Sequence, residues 1–142
     1  MTAETLSPSE TNDLRRIAGL MLPASAEYNV PAADDPAIFA DIIKSLGRDF
    51  AEVRAALAEL AGISGRDDAT AEAEAKALLA REDSRSTALG RSLLQCYYRD
   101  DRVVRSLGLE PRPPFPKGHE LEQGDWSLLD PVRARPKMWR DA

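Results

Sequence analysis

The sequence predicts an all-α fold, a small bundle of about five helices with a long extended C-terminal arm. Three observations carry this. Apolar residues recur at i, i+3, i+4 and i+7 in successive segments, most of them opened by a capping residue and closed by Gly or Pro. No alternating apolar–polar run is long enough to compete as a strand. Beyond Gly108 the pattern changes: six of the ten prolines fall between Pro111 and Pro136, and proline fixes φ and supplies no N–H, so no long helix runs through.

The first helix starts at Ser7-Pro8-Ser9-Glu10. Ser7 caps, Pro8 suits the first turn, and Glu10 completes a capping box. Leu14, Ile17, Ala18 and Met21 then share a face, and Pro23 stops the helix. Residues 24–35, with Tyr28 and Pro31, show no repeat and read as a loop. Asp35-Pro36 opens a second helix with Ile38, Phe39, Ile42, Ile43 and Leu46 inward, closed by Gly47. Asp49 and Glu52 form an Asp-headed variant of the capping box. They start a third helix, with Phe50, Val53, Leu57 and Leu60 on one side, ending at Gly62.

Residues 63–70 read as a polar connector. Residues 71–80 are alanine-rich, with Leu78 and Leu79, and favour helix by propensity. Asp83 or Ser84 caps the next helix, which turns Leu89, Leu93, Cys96 and Tyr97 inward; Gly90 inside it is a candidate for close helix packing. Asp100 or Asp101 caps a short helical turn with Val103, Val104 and Leu107 inward, closed by Gly108. The body is therefore residues 1–108 and the arm 109–142.

The arm does not have the composition of a disordered tail. It carries both tryptophans, Trp126 and Trp139, with Phe115, Leu121, Leu128, Leu129, Val132 and Met138. Disordered segments are poor in such residues. An extended ribbon with spaced anchors needs a surface, either its own body or another protein. Its six acids and six bases cancel, so the whole net charge of −5 sits on the body. That balance argues against nucleic acid, whose phosphates require clustered Lys and Arg.

Few residues suit chemistry. His119 is the only histidine and sits in a Gly-His-Glu loop without ligand-spaced partners. Cys96 is the only cysteine, which excludes an internal disulfide, and no histidine lies near it in sequence to activate it. No GxGxxG, P-loop or GxSxG motif is present. The reading is therefore no catalytic, cofactor-binding or metal-binding residue in this chain. Arg15-Arg16 followed by IAGLML and Pro-Ala-Ser-Ala faintly resembles a twin-arginine signal. The acids Glu4, Glu10 and Asp13 and the shortness of the apolar run favour an amphipathic helix instead. No run approaches the roughly 20 apolar residues of a membrane span. Tyr97 and Tyr98 are neighbours on a helix, about 100° apart, so one of them, Tyr98, points away from the core and is a candidate interface anchor.

Residues 97–108, YYRDDRVVRSLG, resemble the tyrosine-pair, Asp-x-Arg-Val, Leu-Gly segment of the gluconate 2-dehydrogenase subunit 3 family. Residues 14–23, with their Leu-Pro ending, are similar to the family's opening helix. Pro116-Lys117-Gly118-His119 stands where the family has a Pro-x-Gly-Tyr turn, with His119 in place of the aromatic. Residues 126–135, WSLLDPVRAR, are similar to its closing Leu-Leu-x-Pro-Val-Arg-Ala-Arg run. Residues 48–90 carry no matched motif.

The resemblance implies a non-catalytic small subunit of a heteromeric FAD-dependent sugar or alcohol dehydrogenase. The partner would be a large glucose–methanol–choline-type subunit that holds FAD and the active site, in some complexes joined by an electron-transfer haem subunit. The chain would stabilise or fold that subunit. Expected interface residues are Tyr98, Arg102, Phe115, Trp126, Leu128, Leu129, Pro131, Arg133, Arg135 and Trp139. A cytoplasmic complex is expected unless the partner carries an export signal. The alternative is a self-contained helical enzyme or regulatory module whose arm packs on its own body.

Overall fold

A computed structural model of the protein describes residues 5–113, 115, 117–118 and 122–136. Among these residues there are seven α-helices and no strand. The chain forms two compact units, Met1–Pro111 and Arg112–Ala142.

The first unit holds α1 (Pro8–Met21), α2 (Pro36–Ser45), α3 (Phe50–Glu59), α4 (Asp68–Leu79), α5 (Ser84–Tyr97) and α6 (Asp101–Ser106). Helix α5 packs against α2, α3 and α4, and α1 packs against α3 and α4. The core is the sum of their apolar stripes: Leu14 and Ile17 from α1, Ile38 and Ile42 from α2, Val53 and Leu57 from α3, Leu89 and Leu93 from α5, all essentially fully buried. Each such side chain contributes roughly 1.5–3 kcal/mol when removed from water.

Most helix starts follow the local chemistry. The Ser7–Glu10 capping box is closed in both directions. The Asp35 carboxylate accepts the Ala37 N–H, Asp83 that of Ser86, and Asp100 that of Arg102. One start differs. The Asp49 side chain makes no cap hydrogen bond; a 3-10 turn, Gly47–Asp49, leads directly into α3. Its carboxylate is instead held by the Arg91 guanidinium on α5, with Nε donating at 3.0 Å. Glu52, its expected capping-box partner, accepts from the Ser84 hydroxyl at 2.9 Å. A planar cation offering two donors outcompetes the weaker local cap.

Residues 63–70 are less of a connector than their polarity suggests. Ile63 is fully buried in a 3-10 turn, Ile63–Gly65, and α4 begins early because Asp67 caps it through the Thr70 N–H. The turn is fixed from α1. Asp13, only 4% exposed, faces inward and accepts the Gly62 and Ser64 N–H groups, each at 2.9 Å. Gly62 has φ 79°, a left-handed conformation that suits glycine. Burial pushes the Asp13 carboxyl up, but the Ser64 and Gly62 hydrogen bonds and the Arg66 charge outweigh it, and the group lies below its ordinary value. Two inward expectations are corrected: Ile43 and Leu107 are exposed, each lying at the edge of its helix stripe or beyond its helix end.

In the second unit a 3-10 turn, Trp126–Leu129, runs into a four-residue α7 (Asp130–Arg133). Asp125 caps the turn, accepting from the Ser127 N–H at 3.0 Å and its hydroxyl at 2.6 Å. Pro131 sits in the first turn of α7, where its missing N–H costs nothing. Among the described residues of this unit no side chain is buried.

Candidate partner-binding surface

The first unit presents an apolar groove where three segments meet. The first is the loop after α1. Pro23 stops the helix, and the backbones of Ser25 and Val30 exchange two hydrogen bonds of 3.0 Å. Asn29, at φ 53°, makes the reversal, and Tyr28 stands exposed beside it. The second segment is the end of α5. Tyr97 is buried and its hydroxyl donates to the Pro31 carbonyl at 3.2 Å, which ties the loop to the helix. Tyr98, one 100° step on, is 52% exposed and meets Tyr97 edge to face, with ring centroids 5.4 Å apart. The third is α6, which supplies Val103 to the floor, with Leu107 just beyond it at the rim, 58% exposed. The groove holds about 360 Å³, and a larger hollow of about 780 Å³ adjoins it, bordered by Asn29, Arg102 and Arg105.

Arg102 fixes this geometry. Its guanidinium donates to Asp100 (Nε–Oδ1 2.9 Å, Nη2–Oδ2 3.0 Å) and to Asp35 (Nη2–Oδ1 2.8 Å, Nη1–Oδ2 3.1 Å). Those two carboxylates are the N-caps of α6 and α2. One side chain therefore joins two helix starts. The Arg102 hydrogen bonds are the main reason that both carboxyls lie below their ordinary values, and they push the guanidinium further up. Arg102, expected at a partner interface, thus already serves inside the body.

Nearby, Cys96 is buried, and burial raises its thiol above the ordinary value. Arg99, 3.5 Å from its sulfur through Nη2, is committed to Asp41 and Ser45. A thiol pushed up in this way is a poor nucleophile. Among the described residues no group of three or more His, Cys, Asp or Glu is arranged to hold a metal ion.

Comparison with protein-family models, curated proteins and solved structures gives no match. The surface therefore has to be read from its own residues.

The other expected interface residues lie in the second unit. Trp126 is 62% exposed and Leu128 75%; Phe115, Leu129, Pro131 and Arg135 are exposed as well. Arg133 reaches Asp130 at 3.3 Å across one turn. In a 3-10 turn side chains at i and i+3 eclipse, which sets Trp126 and Leu129 on one side. Trp139 and His119 lie outside the described residues. In the first unit, of the expected residues, Tyr98 borders the groove and Arg102 the adjoining hollow. Sequence reasoning missed Tyr28, Leu107 and Arg105 there. For Tyr28 a signal existed, a large aromatic in a loop without helical periodicity. For Leu107 none did, because its spacing from Val103 fits an inward face. Among the described residues no helix is long and apolar enough to cross a membrane.

Proposed function

We propose that the chain is a non-catalytic small subunit of a heteromeric FAD-dependent sugar or alcohol dehydrogenase. Its partner is a large flavoprotein subunit of the glucose–methanol–choline type, which holds the FAD and the active site. The observation that carries this reading is a coincidence of segments. One of the stretches that carry the family resemblance, residues 97–108, furnishes one wall of the apolar groove and exposes Tyr98 and Leu107. A stretch that resembles a subunit family is also a stretch with uncovered apolar surface, the property of an interaction site.

The second similar run, 126–135, supports the same reading, with Trp126, Leu128, Leu129 and Val132 exposed on a capped turn. Tryptophan anchors of this kind dominate binding energy where they are buried by a partner. On this reading the small subunit stabilises or folds the large one. Substrate choice and electron transfer belong to the partner.

The test is expression of the large subunit with and without this chain. Loss of soluble yield and flavin content in its absence, restored by co-expression, is the expected result. Equal yield, flavin content and activity in both preparations would sink the assignment.

A further inference from the structure

The exposed large apolar side chains of the first unit are not scattered. Of Tyr28, Ile43, Leu94, Tyr98, Leu107 and Leu109, three border the one groove. Single exposed apolar residues are ordinary on a protein surface, whereas a cluster around a concavity marks a binding site. Arg102 holds α6 in place, so the groove is preformed and a ligand meets little ordering cost.

The charged side chains that line it and the adjoining hollow are of one sign, and the carboxylates that pair with them stand just outside the lining. No carboxylate is among the residues that line the groove or the adjoining hollow, and the charged residues that do are Arg102 and Arg105. This occurs on a chain whose net charge is −5. The two arginines differ in availability. Arg102 is held by four hydrogen bonds to the Asp35 and Asp100 carboxylates. Arg105 reaches Asp101 at 3.2 Å, with both side chains about 60% exposed. An exposed i,i+4 pair of this kind is weak and exchanges partners readily. The cation within reach of a ligand is therefore Arg105, and its planar fork matches a carboxylate.

We propose that this groove seats an acidic, apolar segment of the partner protein. A large apolar side chain lies between Tyr28, Tyr98 and Leu107, and a carboxylate close to it in the same segment takes Arg105 from Asp101. The proposal rests on the subunit reading and adds to it the docking surface on the body and the chemistry of what docks there.

Selection from a random ten-residue peptide library, displayed against the full-length protein, tests it. The expected peptides pair Leu, Phe or Trp with a nearby Asp or Glu. Tyr98→Ala lowers their recovery about tenfold or more, the effect of losing an aromatic anchor. Arg105→Glu moves the enrichment towards peptides with Lys or Arg. Both side chains are exposed, so circular dichroism of each variant stays that of the parent. Enrichment of neutral or basic peptides would overturn the charge assignment. Acidic peptides that survive both substitutions would bind elsewhere and overturn the site, as would a library with no enrichment. The outcome is separable from the co-expression test. Peptide selection that succeeds while co-expression shows no dependence keeps the groove and removes the dehydrogenase. The reverse pattern keeps the assembly and removes this surface from it.

Discussion

The two units use the same local chemistry and differ in what they do with large side chains. In the first, Asp83 caps α5, and the helix then buries Leu89, Leu93 and Cys96. In the second, Asp125 also caps its turn through its carboxylate, accepting the N–H two residues on where Asp83 accepts the one three on, yet Trp126 and Leu128 stay in water. Capping satisfies backbone donors and costs no burial. It sets a backbone direction without deciding what the side chains touch. A capped turn that leaves tryptophan exposed has a fixed local geometry and a large apolar side chain still in water. The first unit is stabilised by its own core, whereas the second presents a surface.

The comparison breaks most visibly at matched side chains. Leu93→Ala empties a fully buried site between helices and is expected to cost about 3–4 kcal/mol. Trp126→Ala removes a larger side chain from an exposed site and is expected to change the stability of the isolated chain by less than about 0.5 kcal/mol. Urea unfolding of both variants checks the pair. A loss of 2 kcal/mol or so for Trp126→Ala would place that ring within a core, and the contrast between the units would fail.

Next in size is the buried carboxylate. Asp13→Ala leaves the Gly62 and Ser64 N–H groups without their acceptor inside the first unit. Hydrogen bonds to charged groups are worth about 1.5–3 kcal/mol, and two share one carboxylate, so a loss of about 3 kcal/mol is expected. Asp13→Asn, which retains one oxygen, should lose about half as much. Hydrogen exchange at Gly62 and Ser64 gives the local readout: both amides should lose protection in Asp13→Ala while those of α5 lose only what global destabilisation requires.

Asp13 also shows where the sequence stops being legible. Ser7, Asp35, Asp83 and Asp100 are readable as caps because each bonds to an N–H two or three residues away. Asp49 looks the same in sequence but bonds to Arg91, 42 positions on, and Asp13 reaches Gly62, 49 positions on. No local pattern distinguishes these. The same limit applies to the candidate site. Tyr98 is readable as outward-facing from the 100° step after Tyr97. The groove beside it exists only because Tyr97 bonds to Pro31, 66 positions earlier, and brings Tyr28 with it. Leu107 was expected inward because its spacing fits a helix face, but α6 ends at Ser106 before that face closes over it. The proline-rich composition indicated only that no long helix crosses the second unit; the 3-10 turn Trp126–Leu129 and the four-residue α7 lie in a stretch expected to be extended, and which of its side chains share a side follows from that turn.

Smaller again is the acid side of the pH profile. Glu10 is held down to about 2 by the Ser7 N–H, by Arg54 and by the Ser7 hydroxyl. A carboxylate whose value is depressed on folding stabilises the fold above its unfolded value of 4.5 and loses that contribution as pH falls towards 2. Glu10→Gln is therefore expected to cost about 1 kcal/mol at pH 7, a typical cap loss. Between pH 4.5 and 2 its stability should fall less steeply than the parent's, so that the two curves converge. Chemical denaturation at a series of pH values tests this. Parallel curves through that range would show that Glu10 is no more strongly held in the folded chain than in the unfolded one. Asp125 is lowered too, chiefly by the Ser127 hydroxyl and N–H. Its unit buries no described side chain, so Asp125→Asn should leave the unfolding of the first unit unchanged at every pH.

The smallest effect lies within α5. Gly90 was a candidate for close helix packing, yet a Cβ there would meet only the Leu79 Cδ2 atom, at 3.9 Å, an ordinary van der Waals distance. Close approach does not require this glycine. An alanine keeps the same backbone, restricts the unfolded chain and adds a contact, so Gly90→Ala is expected to stabilise the protein by about 0.5–1 kcal/mol. Gly19 is the control, since it also lies within a helix. A Cβ on Gly19 would sit 3.0 Å from the Asp34 carboxyl, which would have to move, and the propensity gain would be largely cancelled. Thermal unfolding of the two single variants separates packing from propensity. If Gly90→Ala is neutral or harmful, α5 packs against α4 more tightly than 3.9 Å implies, and the core of the first unit is less tolerant than its geometry indicates.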